Sequence, residues 1–405
     1  MGIIRNLIGL VLIFAGAYAL SMQRDNVKSR LKNIAIMFVL QLVIAFVSLR
    51  TSVGIAVLEG ISAFFSWLIG QAQGGIQFVF GGFELGEGGV FFFNVLLPIV
   101  FISALIGILD YIKVLPFFMK WIGFAINKLT SVGELEGQYA IATTLIGQPA
   151  AYVTIADQIK QMSGRRLFTI LMSSCSTVAA STFAAYMEMV PGEFVVVAVF
   201  LNIFSGFIIS SLMNPYDITA EDELLAKAGV ASESQEVDEL DKPNFIGVIS
   251  EYITNGWNLA LIVAAMLIGF VSLITFLDAS FAGLTGMTFT QIMGYIFSPI
   301  AFAIGVPTDD IVQVGSVMAT KLLTNEFVAL GQAGDLMNNI SPKAMAMLST
   351  YCISFANLGT LGIVTGGIKA ISEEKARHVA GFAGKLLIGA TLASLLTATI
   401  VGLFY

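Results

Sequence analysis

The run Lys321-Leu-Leu-Thr-Asn-Glu-Phe-Val-Ala-Leu330, with the shorter run Phe355-Ala-Asn-Leu-Gly-Thr360, decides the fold of this chain. The two runs place Glu326 and Asn357 in segments that are otherwise apolar enough to lie in a bilayer. An ionisable side chain there costs roughly 2.5–3.5 kcal/mol on insertion scales, so a chain retains one where it faces a cavity and binds something. The runs therefore predict half of a solute-binding site inside a membrane protein.

The overall composition supports a membrane location. Of the 405 residues, 57% are hydrophobic and 12% are charged, and the mean hydropathy is +0.88. A soluble domain is usually about 25% charged. Repeated apolar runs predict an all-α polytopic membrane protein with about eight transmembrane helices. The first run continues to Ser21 without a small-residue cleavage site, so we expect it to be a span.

The net charge of −7 is confined to one stretch of the chain. Residues 214–242 hold nine acids and two lysines, and the remaining charges cancel. This pattern predicts a solvated acidic loop over 214–244, on the cytoplasmic side. No basic face remains for nucleic acid, so the expected partners are the lipid bilayer and a small solute.

Cysteine and histidine content bears on enzymatic alternatives. Cys175 and Cys352 both fall in apolar segments, and His378 is the single histidine. This pattern argues against a structural disulfide framework and against a histidine-based metal cluster. An intramembrane enzyme would need a nucleophile–base pair or a metal cluster, which leaves it as a distant alternative.

The order of apolar and polar segments predicts five regions. They are scaffold helices with an interfacial helix (1–112, the interfacial part at 52–70); a first repeat (113–213, with a re-entrant hairpin at 134–162, a broken span at 167–187 and a span at 194–213); the acidic loop (214–244); an interfacial helix, a span and a surface helix (245–291); and a second repeat (292–405, with a hairpin at 292–330, a broken span at 344–368 and a last span at 386–404). Sixteen of the twenty Lys and Arg residues then lie on the cytoplasmic side, with both termini outside.

The two repeats share one plan with opposite orientation. Each contains an apolar segment interrupted by glycine and proline, at Gly147-Gln148-Pro149 and at Gly305-Val306-Pro307, followed by a span with a polar centre. The spacing of 29 residues from Gln148 to Thr177 is close to that of 31 residues from Glu326 to Asn357, which pairs Gln148 with Glu326. The first unit begins inside and the second outside, which makes an inverted repeat. Inverted repeats with broken helices are typical of secondary transporters, and chance similarity is the alternative. A channel would not need this paired arrangement.

The polar groups at the interruptions suit an uncharged, polyhydroxylated solute. Helix ends expose free N–H and C=O groups, and the carboxylate of Glu326 can accept two O–H donors. Gln148 and Asn357 add further hydrogen bonds, while Phe355 and Leu259 offer an apolar wall for a ring.

At these residues the chain resembles the concentrative nucleoside transporters of bacteria. The resemblance covers nearly the whole length and rests on several motifs, namely Thr324-Asn-Glu-Phe-Val-Ala329, Phe355-Ala-Asn357, Gly366-Gly367, Gly305-Val-Pro307, Asn258-Leu-Ala260 and Gly147-Gln148. It implies a homotrimer in the cytoplasmic (inner) membrane that imports nucleosides by ion-coupled symport and an elevator-type movement. It implies no organic cofactor.

The resemblance also implies roles for individual residues. Glu326 and Asn357 would hold the ribose hydroxyls together with Thr360, and Gln148 would contact the base. The implied base pocket is lined by Phe355, Thr182 and Leu259. Ala150 stands where the family usually has a glutamate, which leaves base preference open and keeps a modified nucleoside or a free base as the alternative solute.

The coupling ion is likewise open. Sodium-coupled members carry Asn at the position of Thr143 and Ser at the position of Thr177, and Thr143, Thr177 and Val178 could still ligate Na⁺. The run Cys175-Ser-Thr-Val178 looks more like proton-coupled members, so H⁺ is favoured, with Glu326 as the protonation site. Three acids, Asp309, Asp310 and Glu136, are secondary candidates and are expected to cap helices or serve structure.

Overall fold

The computed structural model describes residues 2–81, 90–130, 132–216, 244–337 and 339–405, and the regular elements in these residues are helices. They are α1 (Gly2–Ala19), α2 (Val27–Arg50), α3 (Ser52–Phe80), α4 (Pro98–Tyr111), α5 (Val114–Thr130), α6 (Glu134–Ile146), α7 (Gln148–Thr154), α8 (Ala156–Gln161), α9 (Gly164–Ser176), α10 (Phe183–Met187), α11 (Gly192–Met213), α12 (Phe245–Thr285), α13 (Phe289–Ala303), α14 (Ile311–Leu323), α15 (Glu326–Met337), α16 (Pro342–Cys352), α17 (Leu358–Ile371) and α18 (Glu373–Leu403). The predicted all-α membrane fold is confirmed.

Eight helical segments of the described chain are long and apolar enough to cross a membrane. They are Gly2–Ala19, Arg24–Arg50, Ser52–Phe80, Phe92–Tyr111, Gly164–Met187, Gly192–Met213, Phe245–Thr285 and Glu373–Leu403. This set includes α3, which the sequence predicted as an interfacial helix over 52–70. The helix continues to Phe80 through Gly74 and Gly75, because glycine weakens a helix without removing its backbone hydrogen bonds. The interfacial position of α3 stays a prediction.

The predicted acidic loop lies outside the described residues from 217 to 243. The region after it differs from the predicted interfacial helix, span and surface helix over 245–291. Here α12 runs without interruption for 41 residues. Gly256 does not break it but lets it approach α4, since a Cβ there would lie 2.7 Å from the Ser103 hydroxyl oxygen. The helix ends at Gly286, whose left-handed φ of 76° suits glycine. A capping box between Thr288 and Gln291 then starts α13.

The second repeat also differs from the prediction in the position of its polar break. The predicted hairpin over 292–330 turns at Gly305, but this turn joins α13 to α14. A Cβ on Gly305, with its φ of 98°, would lie 2.5 Å from the Asn6 side chain. A further break at Thr324–Asn325 separates α14 from α15 and corresponds to the Gly147 break in the first repeat. The order α13–α14–α15 thus matches α5–α6–α7.

The remaining predicted segments are helical with shifted ends. The predicted first hairpin over 134–162 contains α6, α7 and α8, and the predicted broken spans contain α9 with α10 and α16 with α17. The last span is part of the longer α18, which begins thirteen residues before the predicted 386 because Ser372 caps it, accepting a hydrogen bond from the backbone N–H of Lys375.

The broken helices lie at the centre of the molecule. The apolar windows of Gly164–Met187 and Gly192–Met213 are each 83% buried, against 17% for Phe245–Thr285. Helix α12 packs chiefly on α4, whereas α11 and α18 pack on α9 and α16. The inner group therefore carries the helix breaks, and the outer helices present apolar faces.

Candidate substrate site

Four interruptions in the inner helices bring free backbone groups together. They lie at Gly147, at 177–179, at Thr324–Asn325 and at 353–357. Helix ends leave N–H and C=O groups without intrahelical partners, and inside a membrane protein other groups must satisfy them. The side chains at these breaks therefore serve the fold, as caps and as partners of the free backbone groups.

Glu326 is the first residue of α15 and is buried, with 3% of its surface exposed. Its Oε1 accepts a hydrogen bond of 2.9 Å from the Tyr186 hydroxyl, and its Oε2 accepts one of 3.0 Å from Nδ2 of Asn357. Asn325 caps the helix, since its Oδ1 accepts from the backbone N–H of Val328 at 2.9 Å. The N-terminal end of a helix stabilises a carboxylate, so the site can hold Glu326 as an anion.

Asn357 caps α17 in the same way. Its Oδ1 accepts hydrogen bonds from the backbone N–H of Thr360 at 2.8 Å and from the Thr360 hydroxyl at 3.1 Å. These two bonds fix the amide so that Nδ2 faces Glu326. The structure thus brings Glu326, Asn357 and Thr360 together, as the sequence predicted.

Gln148 is the first residue of α7, immediately after Gly147 with its φ of 87°. Its Nε2 donates to the carbonyl oxygen of Ser174 at 2.7 Å. Three residues further on, the Thr177 carbonyl accepts from the backbone N–H of Phe355 at 3.1 Å. The end of α9 therefore links Gln148 to the break that carries Asn357. The Gln148 side chain donates its hydrogen bond to this end of α9, not to Asn357.

The predicted base-pocket residues lie around these breaks without a polar contact to Glu326 in the described structure. Phe355 and Ala150 are half-buried, and the Thr182 hydroxyl donates to the Ala179 carbonyl at 2.7 Å. Leu259 is half-buried and lies seven residues before Met266, on the same face of α12. The sulfur of Met266 lies 3.6 Å from Nδ2 of Asn325, so this face reaches the third break.

The residues predicted as Na⁺ ligands direct their hydroxyl protons into their own helices. The Thr143 hydroxyl donates to the Ala140 carbonyl at 2.9 Å, and the Thr177 hydroxyl lies 3.5 Å from the carbonyls of Ser173 and Ser174. Val178 is buried. The oxygen lone pairs of both threonines stay available to a cation, so this geometry is compatible with coupling to Na⁺ as well as to H⁺.

Two of the three secondary acids, Glu136 and Asp310, have structural partners. Both carboxylate oxygens of Glu136 accept from Arg166, at 2.7 and 3.1 Å, and Tyr216 donates to Glu136 at 2.8 Å. Burial, and then the neighbouring Glu136 charge, raise the pKa of Tyr216 well above its usual value, so its hydroxyl stays a donor. Asp310 accepts from the Ser341 hydroxyl at 2.6 Å, and Asp309 is exposed.

Sequence reasoning missed two residues that support the site. Tyr186 binds Glu326 and stacks on Phe327, with ring centroids 4.8 Å apart. Its position four residues after Thr182, on the same helical face, was the available signal. Asn202 donates from Nδ2 to the Ile353 carbonyl at 2.5 Å, which satisfies a free acceptor beside Asn357. An asparagine within the apolar α11 was the signal for this second residue.

Comparison with known proteins decides the family. Residues 194–402 match the family model described as "Na+ dependent nucleoside transporter C-terminus", and residues 8–83 match the corresponding N-terminal model. Residues 92–193 match a model described as "Nucleoside recognition". The chain belongs to the concentrative nucleoside transporter family. The predicted resemblance is therefore confirmed, and the chain is a transporter and not an enzyme.

Relatives of this concentrative nucleoside transporter match it over nearly its full length. The purine nucleoside transport protein NupG of Bacillus subtilis is 34% identical over 401 residues, which is 98% of each chain. The nucleoside permease NupC of Helicobacter pylori is 27% identical over 98% of this chain and 97% of its own.

Solved structures of CNTnw share the fold of this concentrative nucleoside transporter. The inward-facing, substrate-bound state has a TM-score of 0.89 at 29% identity and covers 100% of this chain and 99% of CNTnw. A variant in an intermediate state has a TM-score of 0.91 at 29% identity, with 100% coverage of both chains.

Proposed function

We propose that this transporter imports nucleosides across the bacterial cytoplasmic membrane as an ion-coupled symporter, with the ribose held by Glu326 and Asn357. The observation that carries the proposal is the hydrogen bond between these two side chains, which joins the first turns of α15 and α17 in a buried position. The names of NupG and NupC support nucleosides as the solute class.

The ribose hydroxyls have a chemical reason to bind at Glu326. Each carboxylate oxygen accepts one hydrogen bond, from Tyr186 or from Asn357, and each has a second lone pair to accept an O–H. Two vicinal hydroxyls match the two oxygens of one carboxylate, and hydrogen bonds to a charged group are about twice as strong as neutral ones. A free base lacks this pair of donors, so it forms fewer bonds at the same site.

Uptake into proteoliposomes tests the solute class. Purified protein is reconstituted and supplied with labelled adenosine, uridine, adenine or ribose, each with an imposed proton gradient. Saturable uptake of a nucleoside, with little uptake of the free base or sugar, is the expected result. Uptake of free base in preference to the nucleosides would instead establish the alternative solute.

Ala150 gives the first prediction, which concerns the base. Ala150 is the third residue of α7, two residues after Gln148, and is half-buried. We expect Ala150→Glu to change the preference between purine and pyrimidine nucleosides by about tenfold or more, because a hydrogen bond to a charged group contributes roughly 1.5–3 kcal/mol. Competition of each unlabelled nucleoside against labelled uptake measures this ratio. Ala150→Gln is the uncharged control, and an unaltered preference in Ala150→Glu would contradict a base-reading role.

The coupling ion gives the second prediction. We propose H⁺, because Thr143 replaces the asparagine of sodium-coupled members; since the ribose hydroxyls are proposed to bind Glu326 as an anion, the transported proton is proposed to bind elsewhere than the Glu326 carboxylate. Nucleoside accumulation is expected under an inward proton gradient without Na⁺, with loss on adding a protonophore. Accumulation driven by a Na⁺ gradient alone would contradict the proposed proton coupling. The description of the matching family model, which names Na⁺, agrees with that opposite result. Thr143→Asn with Thr177→Ser is the matched variant, expected to gain stimulation by Na⁺.

The proposed movement is an elevator-type displacement of the inner helices against α4 and α12, within a homotrimer. The burial difference between the inner group and α12 supports such a division. The similarity to CNTnw in both inward-facing and outward-facing states supports alternating access.

The distribution of Lys and Arg supports external termini and a cytoplasmic 214–244 loop. Cysteine accessibility at 2–5 and at 217–243 in intact cells tests that orientation.

A further inference from the structure

Lys321 is a buried cation that the proposed nucleoside site does not use. It lies near the end of α14 with none of its surface exposed. Its Nζ donates to the Ser354 hydroxyl at 2.7 Å and lies 4.7 Å from the centroid of the Tyr351 ring. A buried charge is costly unless it is paired with an opposite one, and a hydroxyl and a ring supply no full negative charge.

Lys321 forms no direct ion pair within the described residues, and the carboxylate whose charge acts on it is that of Glu326, five residues further along the chain. Glu326 lies across the Thr324–Asn325 break from Lys321, at the start of the next helix. Ser354, which holds the ammonium, belongs to the same break as Asn357. Lys321 and the Glu326–Asn357 pair therefore lie at the same two helix breaks.

We propose that Lys321 is the built-in counter-charge of Glu326, so that ammonium and carboxylate cross the membrane together as a neutral pair. The proposal rests on the proposed function. With both side chains charged, the net charge of the unloaded site is zero, and the net charge of the site loaded with a monovalent cation is +1. Without Lys321, the unloaded site carries −1 and the loaded site is neutral. The membrane potential acts on whichever step moves net charge, so Lys321 decides which step responds to voltage.

A double-mutant cycle on stability tests the pair without any transport. Lys321→Gln and Glu326→Gln each leave one buried charge uncompensated, and each is expected to lower the melting temperature in detergent by roughly 5 °C or more. The double variant is expected to melt no lower than either single variant, because both charges are gone. Lys321→Gln combined with Glu374→Gln, at an exposed acid, is the additive reference. Additive losses for Lys321 and Glu326 would overturn the proposal.

Nucleoside exchange tests the electrical consequence, because exchange uses the loaded steps alone. Proteoliposomes hold equal nucleoside on both sides with saturating cation, and a potassium gradient with valinomycin sets the potential. Inside-negative potential is expected to slow wild-type exchange severalfold, to slow Lys321→Arg similarly and to leave Lys321→Gln unaffected. Voltage-dependent exchange in Lys321→Gln would overturn the proposal. If a variant transports no nucleoside, the double-mutant cycle on stability decides whether Lys321 and Glu326 form a pair. That cycle remains a valid test of the pair even if the wild type transports no nucleoside and the proposed function is wrong.

Discussion

Replacing Glu326 with glutamine is expected to lower nucleoside uptake by about 100-fold or more. Glutamine keeps the size of the side chain but removes the charged acceptor that the ribose hydroxyls are proposed to use. Two hydrogen bonds to a charged group contribute roughly 1.5–3 kcal/mol each, and every 1.4 kcal/mol is about tenfold in affinity. Initial rates of labelled uptake into proteoliposomes, at a nucleoside concentration below the wild-type KM, measure the loss.

The control for Glu326→Gln is Glu374→Gln, which makes the same chemical change at an exposed residue in the first turn of α18. It is expected to leave uptake near the wild-type rate. Size-exclusion profiles of both variants establish that the protein is intact. Uptake by folded Glu326→Gln at a rate close to that of the wild type would contradict the proposed role.

Replacing Arg166 with methionine is expected to cause the largest loss of stability. The Arg166–Glu136 pair is buried, with 3% and 1% of the two side chains exposed, and it joins α6 to the first turns of α9. Removing one partner of a buried ion pair costs about 3–5 kcal/mol, because the other charge remains buried. Thermal unfolding in detergent, followed by tryptophan fluorescence, is expected to show a melting temperature several degrees below that of the wild type.

Arg165→Met is the matched control for Arg166→Met, since the neighbouring side chain is half-exposed and forms no ion pair within the described residues. It is expected to melt within about 2 °C of the wild type, as substitutions away from buried networks usually do. Equal stability of the two variants would show that the Glu136–Arg166 pair does not hold α6 and α9 together.

The main polar residues of the candidate site stand out in the sequence because each is polar where its neighbours are apolar. Glu326 and Asn357 stand out in this way, and both were found to cap or begin a helix beside the other. The hydrogen bonding of Gln148 was not predictable, since the Ser174 carbonyl becomes available only because α9 ends near Ser176. Which free backbone group meets which side chain depends on tertiary packing.

The position of the second polar break illustrates a limit of local signals. Gly305-Val306-Pro307 contains the two residues that interrupt helices most strongly, so it predicted the tip of the hairpin. The break beside Glu326 has neither residue and depends on Asn325, whose side chain competes with the helix for the Val328 N–H. A capping asparagine within an apolar run is a weaker signal than glycine and proline.

Tyr186 shows why supporting residues are harder to predict than the residues they support. A tyrosine in an apolar helix is normally part of the core, and its sequence gives no indication that the hydroxyl meets a carboxylate 140 residues away.

The continuous helix α12 was not predicted, for a different reason. Its apolar and polar stretches suggested three short elements, but without a proline the backbone hydrogen bonds run on.

Binding of the sugar by Glu326 is tested most directly with a ribonucleoside and its 2′,3′-dideoxy counterpart, titrated calorimetrically into the wild type and into Glu326→Gln. The wild type is expected to bind the ribonucleoside at least about tenfold more tightly, because the dideoxy compound lacks both hydroxyl donors. In Glu326→Gln the two Kd values are expected to differ by no more than about twofold. The same preference for the ribonucleoside in both proteins would contradict a ribose site at Glu326.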